Sequence, residues 1–276
     1  MIRKLIFGLS MVGMIWGQTG LDILSTPTDA RDASMGLTLN PTVKPTRNLT
    51  HPEAVVTLSV WNWVADIQGG YMGVAYHQAH FSFQALNSGE LEYRDDRPSE
   101  APVSTFEYNI FNSGGSYAWQ LGSFILGIGG ELIYERSLNA SATSLSLNLA
   151  AATSWGDHFL LSGGVRHTGF GGAFGEESSQ LPSEVWVQGD ASFHQFTVLA
   201  ELNTGSFPMA TGAAYTLFDS FELLGGMQIE TAEDETRFHP SAGFTAVYSN
   251  FTLGYSMYQI SHALGARHFI TLYWNY

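Results

Sequence analysis

Residues 267–276 read Arg267-His268-Phe269-Ile270-Thr271-Leu272-Tyr273-Trp274-Asn275-Tyr276. Side chains alternate across a strand, so His268, Ile270, Leu272, Trp274 and Tyr276 share one face. Phe269, Thr271, Tyr273 and Asn275 share the other. The first face is apolar and aromatic, and it runs to the last residue. A soluble sheet rarely closes on an exposed Trp-x-Tyr. A strand whose outer face meets lipid does so naturally, because its end lies in an interfacial belt of aromatic rings.

The same alternation recurs upstream. Phe124, Leu126, Ile128, Leu132 and Tyr134 alternate with small or polar partners. So do Leu145, Leu147 and Leu149, then Val185 and Val187, then Phe196, Val198 and Leu202. Phe221, Leu223, Met227 and Ile229 follow, and then Phe251, Leu253, Tyr255 and Met257. A soluble β-sandwich also alternates. These runs, however, are long enough for a tilted crossing of roughly 25 Å of hydrocarbon. Their second face carries Ser, Thr, Gly, Asn and Gln rather than the Lys and Glu of a soluble sheet. The expectation is an all-β, transmembrane antiparallel barrel over residues 55–276. At about 16 residues per strand and turn it has about 14 strands. Read strand by strand, the alternation yields one candidate too many for an even count. The suspects are the two short runs within 70–87 and the stretch Val103–Phe111.

Composition agrees. Charged residues are 13 %, about half the roughly 25 % of an average globular chain. Aromatics are also 13 %, with 30 glycines. There is no cysteine, which excludes disulfides and thiolate metal sites. The formal net charge of −14 and the lack of Lys/Arg clusters argue against nucleic acid as a partner. Arg3 and Lys4 precede an apolar stretch from Leu5 to Trp16, which reads as an export signal over residues 1–17. That stretch is too short to span a bilayer. Its removal leaves the mature chain near −16. The expected location is the outer membrane of a Gram-negative bacterium, with outer-membrane lipid as surroundings.

Residues 18–54 do not alternate and read as a leader. Thr28 to Gly36 predicts a short helix, with Asp and Thr to cap its first amides and Gly36 at the C′ position. Pro41, Pro45 and Pro52 then forbid regular structure. The leader is expected at or in the periplasmic mouth of the barrel. Of three longer connections, 167–183 and 259–267 are expected to face outward, as long loops do in such barrels, and 88–102 does so only if the surplus candidate lies between Val103 and Trp155. The candidate partner-contact residues are Glu90, Tyr93 and Asp95 in 88–102 and Phe170 and Phe174 in 167–183.

No catalytic set is legible. Gly169-x-Gly171-Gly172-x-x-Gly175 has neither a following helix nor a closing Lys-Ser/Thr, so it reads as a loop rather than a phosphate cradle. His77 and His80 fall on opposite faces of a strand and have no third ligand. The expectation is a non-enzymatic chain with no metal and no cofactor. Alternation sends Glu131, Arg166, Asp190, Glu201, Glu222 and Glu230 into the lumen. There they either pair with one another, because an unpaired charge is costly where water is excluded, or line a pore or ligand site.

Several stretches resemble the PorV/PorQ-like outer-membrane proteins of the type IX secretion system, themselves similar to the FadL fatty-acid transporter fold. The first is Asp29-Ala30-Arg31-Asp32-Ala33-Ser34-Met35-Gly36, similar to an Ala-Arg-x-Ala-x-Leu/Met-Gly element. The second is Gly89-Glu90-Leu91-Glu92-Tyr93-Arg94-Asp95-Asp96, and the third is Leu181-Pro182-Ser183-Glu184-Val185. Ile270, Leu272, Trp274 and Tyr276 resemble the terminal signal read by the barrel-assembly machinery. His51-Pro52-Glu53 departs from the Asn-Pro-Ala of that family. The resemblance implies a role in protein secretion or surface attachment, with type IX components or secreted cargo bound at the outer loops. The alternative it implies is a FadL-like passive channel for hydrophobic small molecules.

Overall fold

The computed structural model describes residues 22–37, 40–50, 54–62, 67–93, 104–137, 140–174, 177–178, 180–232, 235–261 and 265–276. Fourteen antiparallel strands form one closed wall. They are β1 Val55–Asn62, β2 Gln68–Tyr76, β3 Ala79–Asn87, β4 Tyr108–Leu121, β5 Phe124–Ser137, β6 Ala140–Trp155 and β7 Phe159–Phe170. The circuit continues through β8 Glu184–Phe193, β9 Phe196–Asn203, β10 Met209–Leu217, β11 Phe221–Ala232, β12 Glu235–Tyr248, β13 Phe251–Ser261 and β14 Gly265–Asn275. Closure is made by β14 against β1, in register from Val55↔Asn275 to Asn62↔His268. That pairing removes both free edges, which no strand can leave unbonded in lipid.

The even count settles which candidate was surplus. Both short runs within 70–87 are wall strands. The stretch Val103–Phe111 is not one strand: Tyr108–Phe111 opens β4, whereas Ser104–Phe106 pairs with Leu91–Tyr93 outside the wall. With that strand removed, connections 88–102, 167–183 and 259–267 all leave the same end of the barrel. The opposite end carries tight turns, such as His77-Gln78 and His194-Gln195. The turn end is therefore periplasmic and the loop end external.

Alternation is realised along the whole wall. β6 reads buried and exposed by turns from Ser141 to Ala152. Leu145, Leu147 and Leu149 face outward, while Ser144, Ser146 and Asn148 face inward and are buried. On β14, Ile270, Leu272 and Trp274 face outward, and Thr271 is fully buried. Aromatics gather at strand ends: Phe251 stacks on Trp274, whose ring meets Tyr276 edge-on. An apolar exterior over a polar interior is the inverse of a soluble domain, and it is the arrangement that lipid demands. Among the described residues no helix is long and apolar enough to cross a membrane; strands make the crossing.

The leader is not confined to the periplasmic mouth, where Asp29 and Arg31 lie beside the strand ends Val55 and Asn275. It fills the lumen. Helix α1, Ala30–Met35, begins at Asp29, whose carboxylate accepts the Asp32 amide at 2.9 Å. It ends at Gly36 in the left-handed region, φ 62°. Side chains on α1 are small or slender, so the helix lies against the inner faces of β11–β13. A turn of 3₁₀ helix at Asp22–Ser25 sits higher: Ile23 and Leu24 pack against Ile110, Ile133 and Leu181 near the external end. A second 3₁₀ segment, Pro45–Thr50, crosses to β4–β6. A segment that had to satisfy its own backbone at a mouth would need water. In the lumen it finds wall donors and acceptors instead.

Ser59 Oγ and Thr271 Oγ1 lie 2.8 Å apart across the closing seam. In this cysteine-free chain the double variant Ser59→Cys/Thr271→Cys is expected to form a disulfide that locks β1 to β14. A gel-mobility shift of the unfolded protein, reversed by reductant, is the readout.

Candidate functional site

The site is the contact between leader and wall. Wall glycines set how close the leader comes. A Cβ on Gly129 would lie 2.1 Å from the Thr42 carbonyl oxygen, and one on Gly226 would lie 2.3 Å from the Met35 carbonyl carbon. Backbone therefore meets backbone at these points, and any larger residue would push the leader out.

Neutral hydrogen bonds tie the leader on opposite sides. The Ala30 amide donates to Thr271 Oγ1 at 2.8 Å, and Ser241 Oγ donates to the Ser34 carbonyl at 2.8 Å. Across the lumen, Asn148 Nδ2 donates to the Thr42 carbonyl at 3.0 Å. Thr42 Oγ1 is hydrogen-bonded to His80 Nδ1 and to Ser82 Oγ, each at 2.9 Å.

Three ion pairs complete the attachment. Lys44 Nζ binds Glu201 and donates to Gln188 Oε1 at 2.6 Å, with the Trp186 ring 5.1 Å away. Both charged side chains are almost fully buried, at 1 % and 3 % exposure. Arg47 meets Asp190 at 2.6 Å, and Arg31 meets Glu222. Burial lowers the Lys44 pKa to about 8, against the pull of the Glu201 carboxylate. Glu201 also accepts from Arg166 at 3.1 Å, and Arg166 holds Glu184 at 2.6 Å.

All six polar residues expected in the lumen face it. They do not simply pair with each other. Asp190, Glu201 and Glu222 pair with the leader. Glu230 meets His239 at 2.9 Å. Glu131 accepts from Asn112 at 2.9 Å and Asn148 at 3.1 Å, with His167 at 3.5 Å. His167 reaches it through a β-bulge: Asn148 stands opposite both Arg166 and His167, and His167 has φ 56°. The bulge turns two consecutive side chains inward, which a strict period of two cannot foresee. Sequence reasoning also passed over Lys44, Arg47 and Arg31. They are the leader's basic residues among positions 22–50, and that was the available signal.

The outer-loop candidates are not brought together into a site. Glu90 is exposed, and Phe170 ends β7 at 76 % exposure. Tyr93 ends the short extension Leu91–Tyr93, and Phe174 lies in Ala173–Phe174, paired with Glu177–Ser178. Asp95 lies outside the described residues. The glycine run is partly wall rather than loop: Gly169 sits in β7, where a Cβ would be 2.1 Å from the Leu145 oxygen. Of the two histidines three apart, His77 occupies a turn and His80 points inward. Among the described residues no group of three His, Asp or Glu could hold a metal.

Below the leader, on the periplasmic side, lies a cavity of about 470 Å³. Its lining joins Asp29, Arg31, Arg47 and Asp190 to the strand ends Val55, Ser192 and Asn275. Above, a pocket of about 30 Å³ lies among Leu24, Leu37, Phe207, Arg166 and Glu201. The leader thus separates a wide lower chamber from a narrow upper one.

No protein-family model matches the chain, and no curated protein matches it. Solved structures do. The CymD monoaromatic hydrocarbon channel aligns at TM-score 0.64 and 9 % identity, covering 91 % of this chain and 98 % of that one. The Pseudomonas putida toluene transporter TodX gives TM-score 0.64 at 10 % identity, covering 90 % and 97 %. A Pseudomonas aeruginosa FadL homologue gives 0.59 at 10 %, covering 91 % and 98 %. At such identity the likeness is one of fold: the chain has the FadL-like barrel fold.

Lys44→Met leaves Glu201 buried with one cation fewer and is expected to destabilise the folded barrel by about 3 kcal/mol. Adding Glu201→Gln should recover part of that loss. The readout is the urea midpoint of the heat-modifiable band in detergent.

Proposed function

We propose that this barrel is a passive channel for hydrophobic small molecules, closed at rest by its own leader. The observation that carries the reading is the leader itself. It is a separate segment, held by discrete contacts rather than woven into the sheet, and it stands between an apolar entrance and a periplasmic chamber. At the external end Ile23 and Leu24 fill a cluster with Ile110, Ile133 and Leu181. An apolar solute arriving there would compete for the same surface and bias the leader toward leaving it, since it gains only where its affinity for the vacated state is greater. The solute would then pass into the 470 Å³ chamber. The printed names of the neighbouring structures, hydrocarbon channel and toluene transporter, support this class of permeant by likeness of fold.

A second reading places the chain in type IX secretion as a PorV/PorQ-like platform for partners or cargo. It is favoured by the short two-stranded extensions Leu91–Tyr93 with Ser104–Phe106 and Ala173–Phe174 with Glu177–Ser178 at the external end. It also fits the unbroken pairing of β3 with both neighbours, which leaves no lateral gap at that strand.

Thr42→Cys/Ser82→Cys tethers leader to wall, since the two hydroxyl oxygens are 2.9 Å apart. Uptake of radiolabelled toluene by Gram-negative cells expressing the oxidised variant should fall to the level of cells lacking the protein, and reductant should restore it. Uptake indifferent to both the tether and the presence of the protein would remove the channel reading. Co-purification of secretion components with the barrel would then support the platform.

A further inference from the structure

The leader's cations sit where wall acids await them. Lys44 is on Glu201, Arg47 on Asp190 and Arg31 on Glu222. Each pair joins a residue of the removable segment to a residue of the fixed wall. When the leader withdraws, its Asp22, Asp29 and Asp32 leave together with the three cations, and the wall carboxylates stay. The wall's own buried cations, Arg166 and Arg267, are outnumbered by Glu131, Glu184, Asp190, Glu201, Glu222 and Glu230, and Arg166 already serves two of these. The vacated lumen is therefore an acidic conduit, and a low-dielectric wall concentrates the field of such charges along its axis.

The acids are also ordered along the path. Glu201 lines the upper pocket beside the wall residues Phe207 and Ala210, so apolar surface and carboxylate adjoin there even after the leader's Leu24 and Leu37 have left. Asp190 lines the lower chamber. A molecule with a flat apolar body and a cationic head finds both partners at the first position and a carboxylate at the next. An anion of the same shape finds the apolar surface, but the cation beside it, Arg166, is already paired with Glu184 and Glu201, and it meets carboxylates beyond. A neutral hydrocarbon finds apolar surface at the entrance but no partner below it.

We infer that the permeant carries positive charge on an apolar body: an aromatic or alkyl ammonium, amidinium or guanidinium compound that replaces the leader's Lys44 and Arg47 at Glu201 and Asp190 in turn. This rests on the channel reading and adds to it the chemical class of the solute. It also assigns the ion pairs a second role. They are further contacts for which such a solute competes, so its charge adds to the opening that its apolar body begins at Ile23 and Leu24.

Three probes of nearly equal shape differ only in charge: benzamidinium, benzamide and benzoate. Their flux into vesicles reconstituted with the full chain, above that of protein-free vesicles, is the measurement. Benzamidinium is expected to enter at least about tenfold faster than benzoate, the lower end of electrostatic focusing in a charged cleft. The preference should shrink in Asp190→Asn and in Glu222→Gln, variants that leave the buried Lys44–Glu201 pair in place. Benzoate or benzamide entering as fast as benzamidinium would overturn the inference while leaving a channel. If none of the three exceeds the protein-free rate, and toluene uptake is likewise absent, the channel reading fails and this inference fails with it.

Discussion

A charge buried in a membrane barrel must have a partner, and here much of the partnering comes from outside the sheet. Lys44 and Glu201 are the extreme case, each almost wholly removed from water. Removing two such ions from water costs several kcal/mol apiece, and their attraction offsets this only with good geometry and further hydrogen bonds. Gln188, Trp186 and Arg166 supply those contacts. The consequence is that wall and leader specify each other. Without the leader, Asp190, Glu201 and Glu222 lose their leader cations. Without the wall, the leader has no surface on which to fold, since a helix of six residues is far below the length that is stable alone.

Glycines set the distance at which this bargain is struck. Where the wall carries Gly129 or Gly226, the leader backbone comes within contact of the sheet. Where it carries acids, the leader answers with cations. The small faces of α1 and the long reach of Lys44 and Arg47 are two solutions to one problem, which is filling an irregular bore with a single chain. Neither requires the leader to join the sheet, so the wall closes from β1 to β14 without it.

The wall was legible from residues alone because lipid imposes a strict rule. Every outward position must be apolar, so Ile270, Leu272 and Trp274 announced a strand, and a dozen similar runs announced a barrel. The count was ambiguous only at Val103–Phe111, where a short extension outside the wall mimics a strand start. The lumen was half legible. Alternation assigns the six charged residues to the inner face, but it could not see the bulge that turns both Arg166 and His167 in. Partners were the hardest part. Pairing of Glu201 with Lys44 joins residues 157 positions apart through a segment that follows no period, and the expectation of a leader at the mouth missed it. A lumen that carries mostly acids needs cations from somewhere, and the leader was the nearest source.

Amide hydrogen exchange of the purified barrel, read by mass spectrometry over Ala30–Arg47, tests the central claim most directly. A leader seated in the lumen should exchange orders of magnitude more slowly than an unstructured peptide, and Lys44→Met should accelerate exchange in the leader while leaving β14 protected. Exchange of the leader at the unstructured rate in the unaltered protein would contradict a plug held by wall carboxylates.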